Sequence, residues 1–205
     1  MSLTFYYAPM STSGITEAVL AELGTPCERV KLDIKAGDTK KPDYLAINPN
    51  GRVPTIVHDG TAVWESAAIT LYLGEAFGVD AKLYPAAGAK RGEAMRWVVW
   101  ANVTLAEAAS RVMQGADWLA EEKRNAAAAE LGKRDVGNAL KVLDAALAGK
   151  SYLLGEYTIV DTHVHAVAHW LQMLQVDLAP FEHVSAWLKR IDARPSMAKL
   201  RAGAA

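Results

Sequence analysis

Residues 48–57 read NPNGRVPTIV and residues 63–78 read VWESAAITLYLGEAFG. Asn48, Pro49, Asn50 and Gly51 are turn formers. Val53-Pro54 heads an apolar run, where proline is tolerated because the first residue of a strand need not donate to the ladder. A cis Val53-Pro54 bond would aim the amide and carbonyl of Val53 sideways, ready to pair with an extended peptide as an added strand would. Only about 5 to 6% of such bonds are cis, so the sequence leaves the isomer open. Asp59-Gly60 predicts a tight hairpin turn between two short strands. The second stretch then passes from strand to helix, with Ile69, Tyr72, Leu73 and Ala76 turned inward. Ser66 is expected to cap that helix, with Glu65 just before it. An α-carboxylate suits the Ser66 amide and hydroxyl, and the ammonium beside it suits Glu65, so the pair forms a receptor for an amino-acid head group. Taken alone, the same two residues are also a helix cap preceded by a solvated acid.

Toward the amino terminus, LTFYY reads as a strand, residues 13–23 as a helix with Ile15, Val19 and Leu23 on one face, and ERVKLDI as a second strand; Gly24 stops the helix. The first eighty residues thus form a β-α-β, β-β-α unit. Ser11, Thr12 and Ser13 stand at its first strand-to-helix junction, where unpaired amides and the positive dipole end stabilise an anion by roughly 0.3 to 1 kcal/mol. One hydroxyl suffices as a cap, and Ser13 is the expected one. A hydroxyl there can also donate to a bound thiolate and, with the dipole, lower the thiol's pKa from its free value of about 8.5.

Beyond residue 79 the pattern is helical throughout: roughly 90 to 119, 122 to 148, 160 to 174, 184 to 193 and a short tail. Val136, Leu140, Leu143 and Leu147 form one apolar stripe, and Gly149 ends it. The expected organisation is an α/β domain over residues 1–79, a linker over 80–89 and an all-α domain over 90–205. A formal net charge of -1, from 22 basic and 23 acidic residues, supplies no patch for nucleic acid. No window approaches the ~18 uninterrupted apolar residues of a membrane span, and MSLTFYY does not look like a signal segment, so the expectation is a cytoplasmic protein that binds neither nucleic acid nor membrane. The single Cys27 has no partner thiol and reads as structural.

NPNGRVPTI, with ESAAI beginning eleven residues after Pro54, follows YYAPMST and precedes an all-helical half; in this order the pieces resemble the glutathione S-transferase family over essentially the whole chain. YYAPMST is similar to the serine-type branches, and GEYTIVDTHVHA resembles the family's capping box, with Thr158 and Asp161 as S/T-x-x-D. The resemblance implies a thioredoxin-like first domain that binds glutathione and a helical second domain that contributes the site for an apolar electrophile. It implies a detoxifying transferase that is a homodimer, with glutathione as co-substrate and no cofactor or metal. Residue by residue, Ser11 would contact the glutathione sulfur, Val53 ahead of Pro54 would pair with the cysteinyl backbone, and Glu65 with Ser66 would hold the γ-glutamyl end. Arg52 stands where the family often has Gln or Lys and would meet the glycyl carboxylate, with Lys41 as an alternative. Thr12 occupies the place where related sequences carry a cysteine, which excludes covalent cysteine chemistry there. Other branches use a tyrosine at the end of the first strand, so Tyr7, and behind it Tyr6, stays a rival to Ser11; side chains alternate along a strand, so both cannot reach one sulfur.

His163, His165 and His169 suggest a metal, but no carboxylate or thiol accompanies them and packing accounts for the helix. Trp97, Trp100 and Trp118 are expected on the long helix 90 to 119 as packing residues or as a wall for aromatic substrates. Asn102 and Arg111 lie on the same helix without an assigned role, and Arg194-Pro195 should break a helix. Three functions compete: addition of the glutathione thiolate to an electrophilic carbon, reduction of a peroxide or mixed disulfide with the same thiolate, and a non-catalytic binding or assembly module.

Overall fold

In the computed structural model, which describes residues 2–203, the first elements are β1 (Leu3–Tyr7), α1 (Ser13–Leu23), β2 (Glu28–Lys31), a short α2 (Pro42–Leu45), β3 (Thr55–His58), β4 (Thr61–Trp64) and α3 (Ser66–Leu73). The strands form one mixed sheet in the order β2-β1-β3-β4. β1 and β2 are parallel and joined through α1, whereas β1 with β3 and β3 with β4 are antiparallel. This is the four-stranded thioredoxin-like arrangement expected of the β-α-β, β-β-α order. The hairpin turns on Asp59 at φ 46° and Gly60 at φ 82°, the two positive dihedrals that a tight two-residue loop requires. Gly24 ends α1 in the left-handed conformation at φ 64°. β2 is shorter than ERVKLDI suggests: Asp33 leaves the strand because its carboxylate accepts the amides of Lys35 and Ala36, closing a turn.

The remainder is helical: α4 (Ala89–Trp100), a π-helical turn (Ala101–Ala106), α5 (Glu107–Met113), α6 (Ala126–Leu147), α7 (Ile159–Met173), α8 (Glu182–Asp192) and α9 (Pro195–Gly203). α4, the π turn and α5 make one rod that stops at Met113, short of the expected 119. Trp118 therefore lies in the loop that follows and is two-thirds exposed, not on the helix. Asn125 starts α6 by accepting the Ala128 amide. Gly132 lets α6 close on α5, since a Cβ there would sit 2.6 Å from the Val112 amide nitrogen. Pro195 begins α9, as the break at Arg194-Pro195 predicts.

α7 is the central helix, buried along Ile159, Val160, Val164, Val167 and Leu171. The capping box is present, with the Thr158 amide donating to the Asp161 carboxylate at 3.1 Å. Asp161 also accepts from the Leu153 amide at 2.9 Å and from Trp187 Nε1 at 3.0 Å. Burial pushes its carboxyl pKa up, against the pull of these donors. The apolar cluster runs without a break from Phe5, Val19 and Ile69 of the first unit to Leu105, Val164 and Trp187 of the second. Arg194 crosses between the two, pairing with Glu22 of α1 while its guanidinium stacks 3.4 Å from the Tyr157 ring centroid. Among the described residues no helix is long and apolar enough to cross a membrane.

Candidate functional site

Strand register decides which loops meet. Tyr6 of β1 pairs with Thr55 of β3, and Thr55 pairs with Trp64 of β4. The end of β1, the start of β3 and the end of β4 are therefore neighbours, and the residues that follow or precede them share one end of the sheet. There lie the Ser11-Thr12-Ser13 junction, Val53-Pro54 and Glu65-Ser66. α1 and α3 both start at this end, and neither carries an acidic residue in its first turn, so two positive helix ends face one place.

At the first junction the hydroxyls divide their work differently from the expectation. Ser11, half-buried, directs its hydroxyl to the Ala8 carbonyl at 2.7 Å, with Ser13 Oγ at 3.0 Å, and its oxygen accepts the Ser13 amide at 3.1 Å. Ser13 is the buried first residue of α1 rather than its cap, because Ser11 has taken that amide. Thr12 reaches across the chain to donate to the Val53 carbonyl at 3.0 Å, tying the start of α1 to the proline loop. Tyr6 and Tyr7 point to opposite faces. Tyr6 packs on Tyr44, whereas Tyr7 stacks on Phe5 beneath the Arg29 guanidinium, 5.0 Å from its ring centroid.

The Val53-Pro54 bond is cis. The loop is braced by residues that the sequence marked only as turn formers or left unremarked. The Arg52 carbonyl accepts from Tyr44 Oη at 2.6 Å and from Asn48 Nδ2 at 2.8 Å, and both donors also meet Thr55 Oγ1 at 2.9 Å. Lys40 donates to the Gly51 carbonyl at 3.0 Å. Val53 spends its carbonyl on Thr12, while its amide has no protein partner among the described residues. Arg52 is exposed, and its guanidinium pairs with no carboxylate among the described residues. Lys41 is also exposed, but Asp38 holds its ammonium at 2.7 Å and raises its pKa, so an incoming carboxylate has to compete for it.

At the third corner Glu65, exposed, precedes α3 with φ 70°, an unfavourable dihedral for a side-chain-bearing residue. Ser66 is the first helical residue, not the cap, and is 5% exposed. Its Oγ accepts from Asn102 Nδ2 at 2.9 Å; Asn102 Oδ1 lies 2.8 Å from His163 Nε2, and His163 Nδ1 lies 2.8 Å from Thr70 Oγ1. Asn102 sits in the π-helical turn, a deformation that recurs at functional sites. Burial pulls the pKa of His163 down to about 3, so it is neutral. His165, by contrast, pairs with Asp192 at 3.1 Å, and no group of three His, Cys, Asp or Glu side chains among the described residues is arranged to hold a metal ion.

Trp97 is buried and Trp100 half-buried, their rings edge to face at 5.2 Å. Arg111 pairs with Glu107 and Asp135. Trp100 and Arg111 help to line a cavity of about 340 Å³, and a second of about 500 Å³ lies beside His58 and Phe77; neither includes Ser11, Val53 or Ser66, whose shared end of the sheet we term the shelf.

The model of the Glutathione S-transferase N-terminal domain matches residues 1–75, and that of the Glutathione S-transferase C-terminal domain matches residues 102–195. The chain is 30% identical over 184 residues to Glutathione S-transferase GstB of Escherichia coli strain K12, covering 88% of each. Among solved structures it is similar to the glutathione transferase URE2P6 of Phanerochaete chrysosporium in complex with oxidized glutathione, at a TM-score of 0.89 and 24% identity over 98% of this chain and 96% of that one. It is similar too to a glutathione transferase homolog from Lodderomyces elongisporus with two GSH per subunit, at a TM-score of 0.87 and 22% identity over 97% of each chain. At those identities the two structures speak for the fold.

Proposed function

The chain belongs to the glutathione S-transferase family, and from that premise we propose that it binds glutathione on the shelf at the sheet end, holds its sulfur as a thiolate and adds it to a small apolar electrophile. The observation that carries this reading is the convergence of three groups on one place: the Ser11-Thr12 junction, the unpaired Val53 amide and the Glu65-Ser66 pair. An extended tripeptide with a carboxylate and ammonium at one end, an amide in the middle and a carboxylate at the other finds complementary chemistry there. Ser66 and the α3 amides take the γ-glutamyl carboxylate, Glu65 its ammonium, and the Val53 amide the cysteinyl carbonyl. Exposed Arg52 receives the glycyl carboxylate ahead of Lys41, whose charge is engaged by Asp38. Ser11 donates to the sulfur, with Thr12 fixing the loop opposite, in the manner of the serine-type branch.

The proposed division of labour gives residues 1–79 glutathione and residues 90–205 the electrophile, across a linker at 80–89. The proposed setting is the cytoplasm, as a detoxifying homodimer. Met95, Val99 and Val103 lie four residues apart along α4 and the π turn and are exposed, an apolar stripe that a second copy would cover. Retention on immobilised glutathione, then turnover of a chlorodinitrobenzene-type acceptor, tests the reading. A protein that is retained but reduces a hydroperoxide or mixed disulfide without conjugating is a thiolate reductase, and one that is not retained has lost the proposed ligand.

A further inference from the structure

We propose that His163, which touches no part of the shelf, is a positioning residue that sets the direction of a hydrogen-bond chain through Asn102 and leaves the Ser66 hydroxyl proton free for the ligand's carboxylate. The proposal rests on the glutathione reading above and deepens it at the γ-glutamyl end.

The chain spans three elements: Ser66 and Thr70 on α3, Asn102 in the π-helical turn, and His163 on α7. Each link is 2.8 or 2.9 Å long. Every member has a limited supply of protons, so the direction of one bond dictates the others. His163 is 0% exposed and neutral, so one ring nitrogen donates and the other accepts. Its Nε2 faces the Asn102 carbonyl oxygen, which can only accept; the proton is therefore on Nε2, and Nδ1 accepts from Thr70. With its oxygen occupied, Asn102 turns its amide group to Ser66 Oγ. Ser66 thus receives a hydrogen bond from behind, and its own proton has no acceptor among the described residues.

The opposite direction would put the histidine proton on Nδ1, reverse the Asn102 amide, and turn the Ser66 proton back onto Asn102. A carboxylate arriving at Ser66 offers only acceptor atoms. It is compatible with the first direction and excluded by the second. Ligand binding and the Nε2–H tautomer of His163 are therefore coupled, across 97 positions of sequence between Ser66 and His163, by a route that lies inside the protein.

Asn102→Asp provides the test. A carboxylate at 102 accepts from His163 with one oxygen and from Ser66 with the other, so the Ser66 proton is withdrawn and a negative charge stands behind it. Glutathione and its analogue lacking the γ-glutamyl α-carboxylate are titrated calorimetrically into wild type and variant. The expected result is a loss of about tenfold or more in glutathione affinity, the weight of one hydrogen bond of ~1.4 kcal/mol, with the analogue bound equally by both proteins. In histidine-labelled wild type, long-range proton-nitrogen correlation should show His163 as the Nε2–H tautomer with glutathione bound. An equal loss for glutathione and analogue, or an Nδ1–H tautomer in the complex, overturns the proposal. A wild type that fails to bind glutathione overturns the functional reading itself and takes the chain's role with it, an outcome distinct from binding without coupling.

Discussion

Ser11 has one proton and two acceptors within reach, the Ala8 carbonyl and Ser13 Oγ. A thiolate on the shelf would be a third and charged competitor, and a bond to a charged group is worth about 1.5 to 3 kcal/mol. Ser11→Ala should therefore raise the bound thiol's pKa by roughly one to two units and shift the pH profile of conjugation upward. Tyr7, committed to Phe5 and Arg29, should leave the profile in place as Tyr7→Phe; the reverse pair of results transfers the role to the tyrosine. Glu65→Ala and Ser66→Ala remove contacts that hold the head group in ground and transition states alike. Each should raise KM for glutathione more than it lowers kcat, as steady-state kinetics over a wide glutathione range will show. Hydroxyls at the junction were legible in the sequence, because their types and their place before a helix are local facts. Their division of labour was not: Ser13 looked like the cap until the fold of the turn put Ser11 Oγ on its amide.

At the level of elements, α6 offers two glycines in one helix with opposite surroundings. A Cβ on Gly132 would lie 2.6 Å from the Val112 nitrogen and 2.9 Å from the Ala108 carbonyl oxygen, whereas one on Gly137 would meet nothing within 4 Å. Gly132→Ala should lower stability by about 1 to 3 kcal/mol through overpacking against α5. Gly137→Ala should raise it by up to about 1 kcal/mol through helix propensity alone. Thermal unfolding of the two variants checks both signs, and stabilisation by Gly132→Ala would mean that α5 and α6 are not pressed together. The helical stripe of α6 could be read from its period, but contact with α5 could not, since nothing local distinguishes a glycine that faces a neighbouring backbone from one that faces solvent. For the same reason the rod α4–α5 was expected to run to 119: residues 114–119 keep adequate helical composition, and their chain reverses where the Asn125 amide takes the Gln114 carbonyl.

For the whole molecule, His163 makes stability depend on pH. Its folded pKa is depressed below the ordinary 6.5, so its contribution is complete above pH 6.5 and is lost as pH falls toward 3, at up to about 1.4 kcal/mol per unit. Glu22 adds its loss only at lower pH: burial raises its pKa, but the bonds from Arg194 and Ser196 prevail and lower it below 4.5. Denaturant unfolding between pH 6.5 and 5 should show the falling stability in wild type and a flatter line in His163→Gln; equal slopes would mean that the histidine is not buried neutral. If a second copy covers the α4 stripe, light scattering should give about twice the 22.1 kDa chain mass, reduced to the monomer by Val99→Glu with Val103→Glu. The sequence by itself determined the order of strands and helices, the Asp59-Gly60 hairpin, the Thr158-Asp161 box and the three loops that carry the shelf, because periodicity, turn chemistry and capping act over a few residues. Only the tertiary structure decided the isomer of Val53-Pro54, the grip of Thr12 on Val53 and the chain from Ser66 through Asn102 and His163 to Thr70. Those bonds join residues 41, 36, 61 and 93 positions apart: the first depends on the return of the proline loop to the start of α1, the other three on the packing of α7 against α3 and the π-helical turn, and no local window contains either.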